Sequence, residues 1–217
     1  MFFTALSVFV IALGVKIYTK LTRETMVNRF MGFLFTPMVV LSTIPLAISG
    51  LLLGSQFLLC IVMGLALSVV ADVYMNLKQP DSFMSGMIYF SFAHLLYISG
   101  LSFISSFHWM QLVVGIVLLG SLTFIYIKMF FNKLDEIMKI SIPLYMILVT
   151  LTLLIALGVL IVTPTPASIM LFIGTVLFWL SDLVIAISTF YKPFKYAGAL
   201  TWALYGPAQL LIALSIF

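Results

Sequence analysis

Eight apolar runs divide this chain, joined by short segments that carry most of its charge. They lie near residues 2–18, 30–49, 55–75, 82–104, 108–129, 140–162, 167–190 and 196–216. Each has about the 20 residues that a helix needs to cross a hydrocarbon core of about 30 Å. The pattern predicts an all-α, polytopic membrane bundle of eight transmembrane helices, one domain over residues 1–217. Pro37 and Pro45 in the second run and Pro207 in the eighth predict kinks, and the carbonyls freed there would line a cavity. Thr163-Pro164-Thr165-Pro166 predicts a stiff turn.

The joining segments alternate in charge. The first holds Lys16, Lys20, Arg23 and Arg29, the third Lys78, the fifth Lys128, Lys133 and Lys139, and the seventh Lys192 and Lys195. The even segments, around Gly50 to Gly54, Ser105 to His108 and Thr163 to Pro166, hold no Lys or Arg. By the positive-inside rule the odd segments are cytoplasmic and both termini lie on the non-cytoplasmic side. Asp72 in the third run and Asp182 in the seventh each precede a short basic segment, which suggests a parallel repeat of two four-helix units.

Composition excludes a water-soluble protein: 64% of the 217 residues are hydrophobic and 7% are charged, against about 25% charged in an ordinary soluble domain. The net charge of +4 is spread over the joining segments and reads as a topology signal, with no nucleic-acid partner implied. The lone Cys60 offers no disulfide and reads as a small core hydrophobe. Basic residues follow the first run and do not precede it, so that run reads as a retained helix and not a cleaved signal. With compact segments and no organelle signal, the chain is expected in a cell membrane as a multi-pass protein, a bacterial inner membrane above all.

Ionisable residues within spanning helices are costly and need an account. Asp72, Asp182 and His94 are the three. Helical spacing puts Ser68 and Asn76 on the face of Asp72, Phe90 and Tyr97 on that of His94, and Tyr205 with Gln209 on one face of the eighth run. Together they can form a polar pocket near the inner leaflet, although side chains of this kind also bond helix to helix with no further role, and Asp72 is within reach of Lys78. Two Asp and one His on different helices have no local ligand spacing, so no metal is assigned, and the thirteen Met residues are spread as packing would have them.

Two blocks of residues resemble a known family. The first runs from Ala71-Asp72 through Phe83-x-x-Gly86 and Phe90 to Ala93-His94-x-x-Tyr97; the second runs from Gly174 to Phe178 and Ser181-Asp182, then to Tyr205-x-x-x-Gln209. They are similar to the lysoplasmalogenase family of YhhN-like membrane proteins, which have eight helices. Ala71 stands where the family usually has Gly, and Thr36 stands before Pro37 where many members have Lys.

The resemblance implies hydrolysis of the vinyl ether bond of a lysoplasmalogen to a fatty aldehyde and a glycerophospho-alcohol. It implies Asp72, Asp182 and His94 as catalytic residues, and Tyr97, Asn76, Ser181, Tyr205 and Gln209 as substrate-binding ones. Asp182, set deeper, is the expected proton donor and Asp72 its ionised partner, with exchange of the two roles left open. The substrate is a lysophospholipid drawn from the surrounding membrane lipid, and no cofactor is implied. Arg23, Arg29 and Lys195 share the cytoplasmic face and could meet its phosphate, though topology alone accounts for them. Intramembrane acids and broken helices also mark transporters, so a small-molecule or proton-coupled carrier is the rival reading, with a structural or assembly subunit third.

Overall fold

The computed structural model describes residues 2–22, 25–45, 56–77 and 81–215. Arg23, Lys78 and the segment around Gly50 to Gly54 fall outside the described residues. Among the described residues eight helices carry the fold: α1 (Phe2–Leu21), α2 (Met26–Leu41), α3 (Gln56–Asn76), α4 (Ser82–Ser102), α5 (Trp109–Ile125), α6 (Glu136–Val162), α7 (Pro166–Ala186) and α8 (Ala197–Leu214). Among the described residues there are no strands. Seven of the helices are long and apolar enough to cross a membrane. The exception is α2, a 16-residue helix ending at Leu41, so Pro37 lies within it and Pro45 beyond it.

Polar residues set the helix starts. Thr25, Asp135 and Thr165 each accept a hydrogen bond from a main-chain N–H in the first turn of α2, α6 and α7. In the Thr163 to Pro166 turn, Thr165 and Ser168 cap each other reciprocally, and Pro166 takes the first helical position, where a missing N–H costs nothing. α5 and α7 each run on into a single π-helical turn, Tyr126–Phe130 and Ile187–Tyr191, and Phe130 and Phe190 meet edge to face there at 6.5 Å.

The helices α1, α2, α3, α4, α6, α7 and α8 form a closed ring, each packed on the next and α8 returning to α1. α5 stands outside the ring against α6, and only Gln111 and Gly115 of it are buried. Val113, Ile116 and Val117 of α5 and Val10 and Ile11 of α1 point outward, as in a bundle whose solvent is hydrocarbon. The closest approaches use glycine. A Cβ on Gly174 of α7 would lie 3.0 Å from the Ala208 carbonyl oxygen of α8, and one on Gly64 of α3 would strike the Tyr97 ring of α4.

One basic residue departs from the charge-alternation reading. The buried positions of α1 are Ala5, Phe9, Ala12 and Lys16, which step by three or four and form one inward stripe. Lys16 is the last of that stripe and is wholly buried, so it is an interior residue of α1 and not part of the joining segment.

Candidate active site

Asp72 and Asp182 come from α3 and α7, remote in sequence, and line one cavity of about 230 Å³. Both are buried, at 4% and 7% exposure. Phe90, Met75 and Ile185 form part of the apolar wall, while Asn76, Lys20 and Thr201 form part of the polar one. The cavity lies toward the end of the bundle where α3 and α7 finish and α8 begins.

Each acid receives a phenolic hydrogen bond. Tyr205 of α8 donates to Asp72 Oδ2 at 2.9 Å, and Tyr145 of α6 donates to Asp182 Oδ2 at 2.7 Å. Tyr205 is itself held from behind: Gln209, one turn on, donates to its hydroxyl at 2.9 Å, and Tyr97 donates to Gln209 Oε1 at 3.4 Å. Ser68 Oγ lies 3.4 Å from the Tyr97 hydroxyl, which closes a buried relay through α3, α4 and α8. The Tyr205 ring meets Phe178, Phe90 and Trp202 edge to face, with centroids 5.3, 5.8 and 5.3 Å away, so its hydroxyl has little freedom to move.

The residues expected at the site divide into two ranks. Asp72, Asp182, Asn76 and Tyr205 line the cavity. Tyr97 and Gln209 stand behind Tyr205, while His94 and Ser181 are buried around Phe178. Ser181 donates to the Phe178 carbonyl at 2.7 Å, and the His94 ring packs on Phe178 with centroids 4.7 Å apart. His94 Nδ1 lies 3.0 Å from Thr152 Oγ1, and its Nε2 is buried with no hydrogen-bond partner among the described residues. Asn76 donates to the Asp72 carbonyl at 2.8 Å and accepts from Lys16 at 2.9 Å.

The match to known families now has a geometry to set beside it: the sequence matches the model of the YhhN family over residues 29–216. The chain belongs to the YhhN family. This family includes lysoplasmalogenases. Searches of curated proteins and of solved structures returned no match. The YhhN match starts at Arg29, so α1 with Lys16 and Lys20 precedes it.

Thr36 touches an amine without bearing one: Lys16 donates to Thr36 Oγ1 and, at 2.7 Å, to the Gly32 carbonyl. Two polar contacts of the site, Tyr145 and Lys16, were not anticipated as such from the sequence. Tyr145 had a signal, being the only tyrosine of α6. Lys16 had one in its register with Ala5, Phe9 and Ala12.

The cavity adjoins two spaces of opposite character. Through Met75, Phe83, Phe90, Asp182 and Ile185 it shares walls with a narrow apolar crevice. That crevice shares Ile142, Met146 and Ala186 with an apolar cavity of about 290 Å³ bounded by α5, α6 and α7. Through Lys20 and Asn76 it shares walls with a larger polar cavity against α1 and α2. The two acids sit between a space lined by cations and an apolar one.

Proposed function

We propose that this YhhN protein is a membrane-embedded hydrolase that cleaves the vinyl ether bond of a lysoplasmalogen. The observation that carries the reading is the pair of buried carboxyls lining one cavity at the junction of a polar space and an apolar one. A single-chain amphiphile has the same order of parts: headgroup, glycerol, reactive bond, tail.

A vinyl ether is hydrolysed by protonation of its outer carbon, which gives an oxocarbenium ion. Water adds to that ion, and the resulting hemiacetal collapses with loss of the glycerol oxygen as an alcohol and release of the aldehyde. The reaction needs one proton donor and one base that also stabilises positive charge, the division of labour that two carboxyls perform at glycosidic bonds. Asp182 delivers the proton: Tyr145 occupies its Oδ2, which leaves Oδ1 to carry the hydrogen. Asp72 faces the cation as carboxylate and takes the proton from water, with Tyr205 donating to it. Asn76 and Tyr205 meet the glycerol oxygens, and His94 acts at one remove by holding Phe178 and Tyr145. The basic end of the bundle lies in the cytoplasm.

The test is release of fatty aldehyde from lysoplasmalogen by the purified chain in detergent, run beside Asp72→Asn and Asp182→Asn. Release by the wild-type chain and its loss in both variants, with unfolding temperatures retained, is the expected result. A wild-type chain that releases no aldehyde overturns the proposal and favours transport through the same acids.

A further inference from the structure

We propose that the cavity against α1 and α2 is an anion site for a phosphate ester, and that it seats the headgroup phosphate of the lipid whose bond is cut at the acids. The inference rests on the hydrolase reading for its choice of lipid and on the structure for its choice of anion. The cavity has a volume of about 590 Å³. Lys16, Lys20 and Arg29 all line it, with Asn28 and Asn76, and among the described lining residues there is no carboxylate.

Lys16 places an amine at its floor. The ammonium is buried among spanning helices, where its hydrogen-bond partners are neutral oxygens: the Gly32 carbonyl at 2.7 Å, Thr36 Oγ1, and Asn76 Oδ1 at 2.9 Å. A lysine in such a setting costs stability, which marks it as a functional candidate. Its three hydrogens are satisfied, so it holds an anion by field and not by direct contact. Lys20 and Arg29, exposed at the mouth, add two cationic side chains.

Position gives the second argument. Lys20 and Asn76 line both this cavity and that of Asp72 and Asp182, so a phosphate here lies one shared wall from the acids, as glycerol requires. Lys16 also stands over the Trp202 ring, 4.7 Å from its centre, and Trp202 packs on the Tyr205 that bonds Asp72. The arrangement predicts preference for lysolipids bearing phosphate over neutral alkylglycerols, and a preference that fades with salt.

The test measures binding to the full chain in neutral detergent. Four probes are used: a saturated 1-alkyl lysophosphatidylcholine, which has no vinyl bond to cut, 1-alkylglycerol, glycerol 3-phosphate and inorganic phosphate. The expected result is a preference of at least tenfold for the lysolipid over the alkylglycerol, reduced at least tenfold in Lys20→Gln/Arg29→Gln. Both side chains are exposed, so this variant is expected to fold; monodispersity and unfolding temperature check it. Competition by glycerol 3-phosphate or inorganic phosphate would support an anion site that also takes free phosphate; competition by neither would support one reserved for lipid headgroups. Equal binding of lysolipid and alkylglycerol, or a preference unchanged in the double variant, overturns the proposal. Because the lysolipid is uncleavable, failure of aldehyde release sinks the hydrolase reading without touching this result.

Discussion

The Tyr145 hydroxyl lies 2.7 Å from Oδ2 of Asp182 and donates to it, joining α6 to α7 in the crevice beside the acid cavity. Asp72 has a counterpart bond from Tyr205. A hydrogen bond to a charged group contributes about 1.5–3 kcal/mol, which corresponds to about 10- to 100-fold in rate if it is realised in the transition state. Tyr145→Phe and Tyr205→Phe are therefore each expected to lower kcat/KM for aldehyde release by about that factor, with the aromatic packing kept. Wild-type rates in both would show that the tyrosines only join helices.

Gly64 makes room for the Tyr97 ring, and no side chain larger than hydrogen fits there without displacing it. Gly64→Val is expected to push Tyr97 away from Gln209 and Ser68 and to cost about 1–3 kcal/mol through overpacking. Gly14→Ala is the control, because a Cβ there has no neighbour within 4 Å. Thermal unfolding in detergent should separate the two, with only the valine variant melting earlier.

Much of this arrangement was legible from pattern. Runs of spanning length located the helices, and the four-residue step from Tyr205 to Gln209 put them on the face that meets Asp72. What pattern could not carry was partner choice between helices, since spacing along one helix says nothing of its rotation against another. Tyr145 finding Asp182 and Lys16 finding Asn76 are contacts of that kind. Charge counting also grouped Lys16, which lies inside the first run, with the joining segment, because the positive-inside rule counts any lysine near a run's end. For α2 the helix breaks at Ser42 and Thr43 inside the apolar run, whose residues 46–49 fall outside the described residues.

Lys16 bridges three helices, and replacing it tests that bridge. Lys16→Met would leave Asn76 Oδ1 and Thr36 Oγ1 without the lysine donor inside the bundle, while the Gly32 carbonyl keeps its bond from Thr36 Oγ1. Removing one partner from a buried hydrogen bond costs about 1–3 kcal/mol, so the variant is expected to unfold earlier. Asn76 would also be freed beside Asp72, and kcat should fall with it. Lys16→Met/Thr36→Lys returns an amine to the same pair of helices and is expected to recover part of both losses. Stability and activity unchanged in the single variant would contradict the bridge.

The positive-inside rule gives an expected sidedness that labelling can test. Lys133 donates to the Tyr191 carbonyl at 3.0 Å and lies over the Tyr191 ring, which ties the end of α5 to the end of α7. The neighbouring Asn132 is exposed at the same end, and Ser106, between α4 and α5, is exposed at the other. In a Cys60→Ala background, a cysteine in place of Ser106 should react with a membrane-impermeant thiol reagent in intact cells. One in place of Asn132 should react only after the membrane is opened. The reverse pattern would turn the acid cavity and its basic mouth toward the outside, and the lipid would then have to arrive from the outer leaflet.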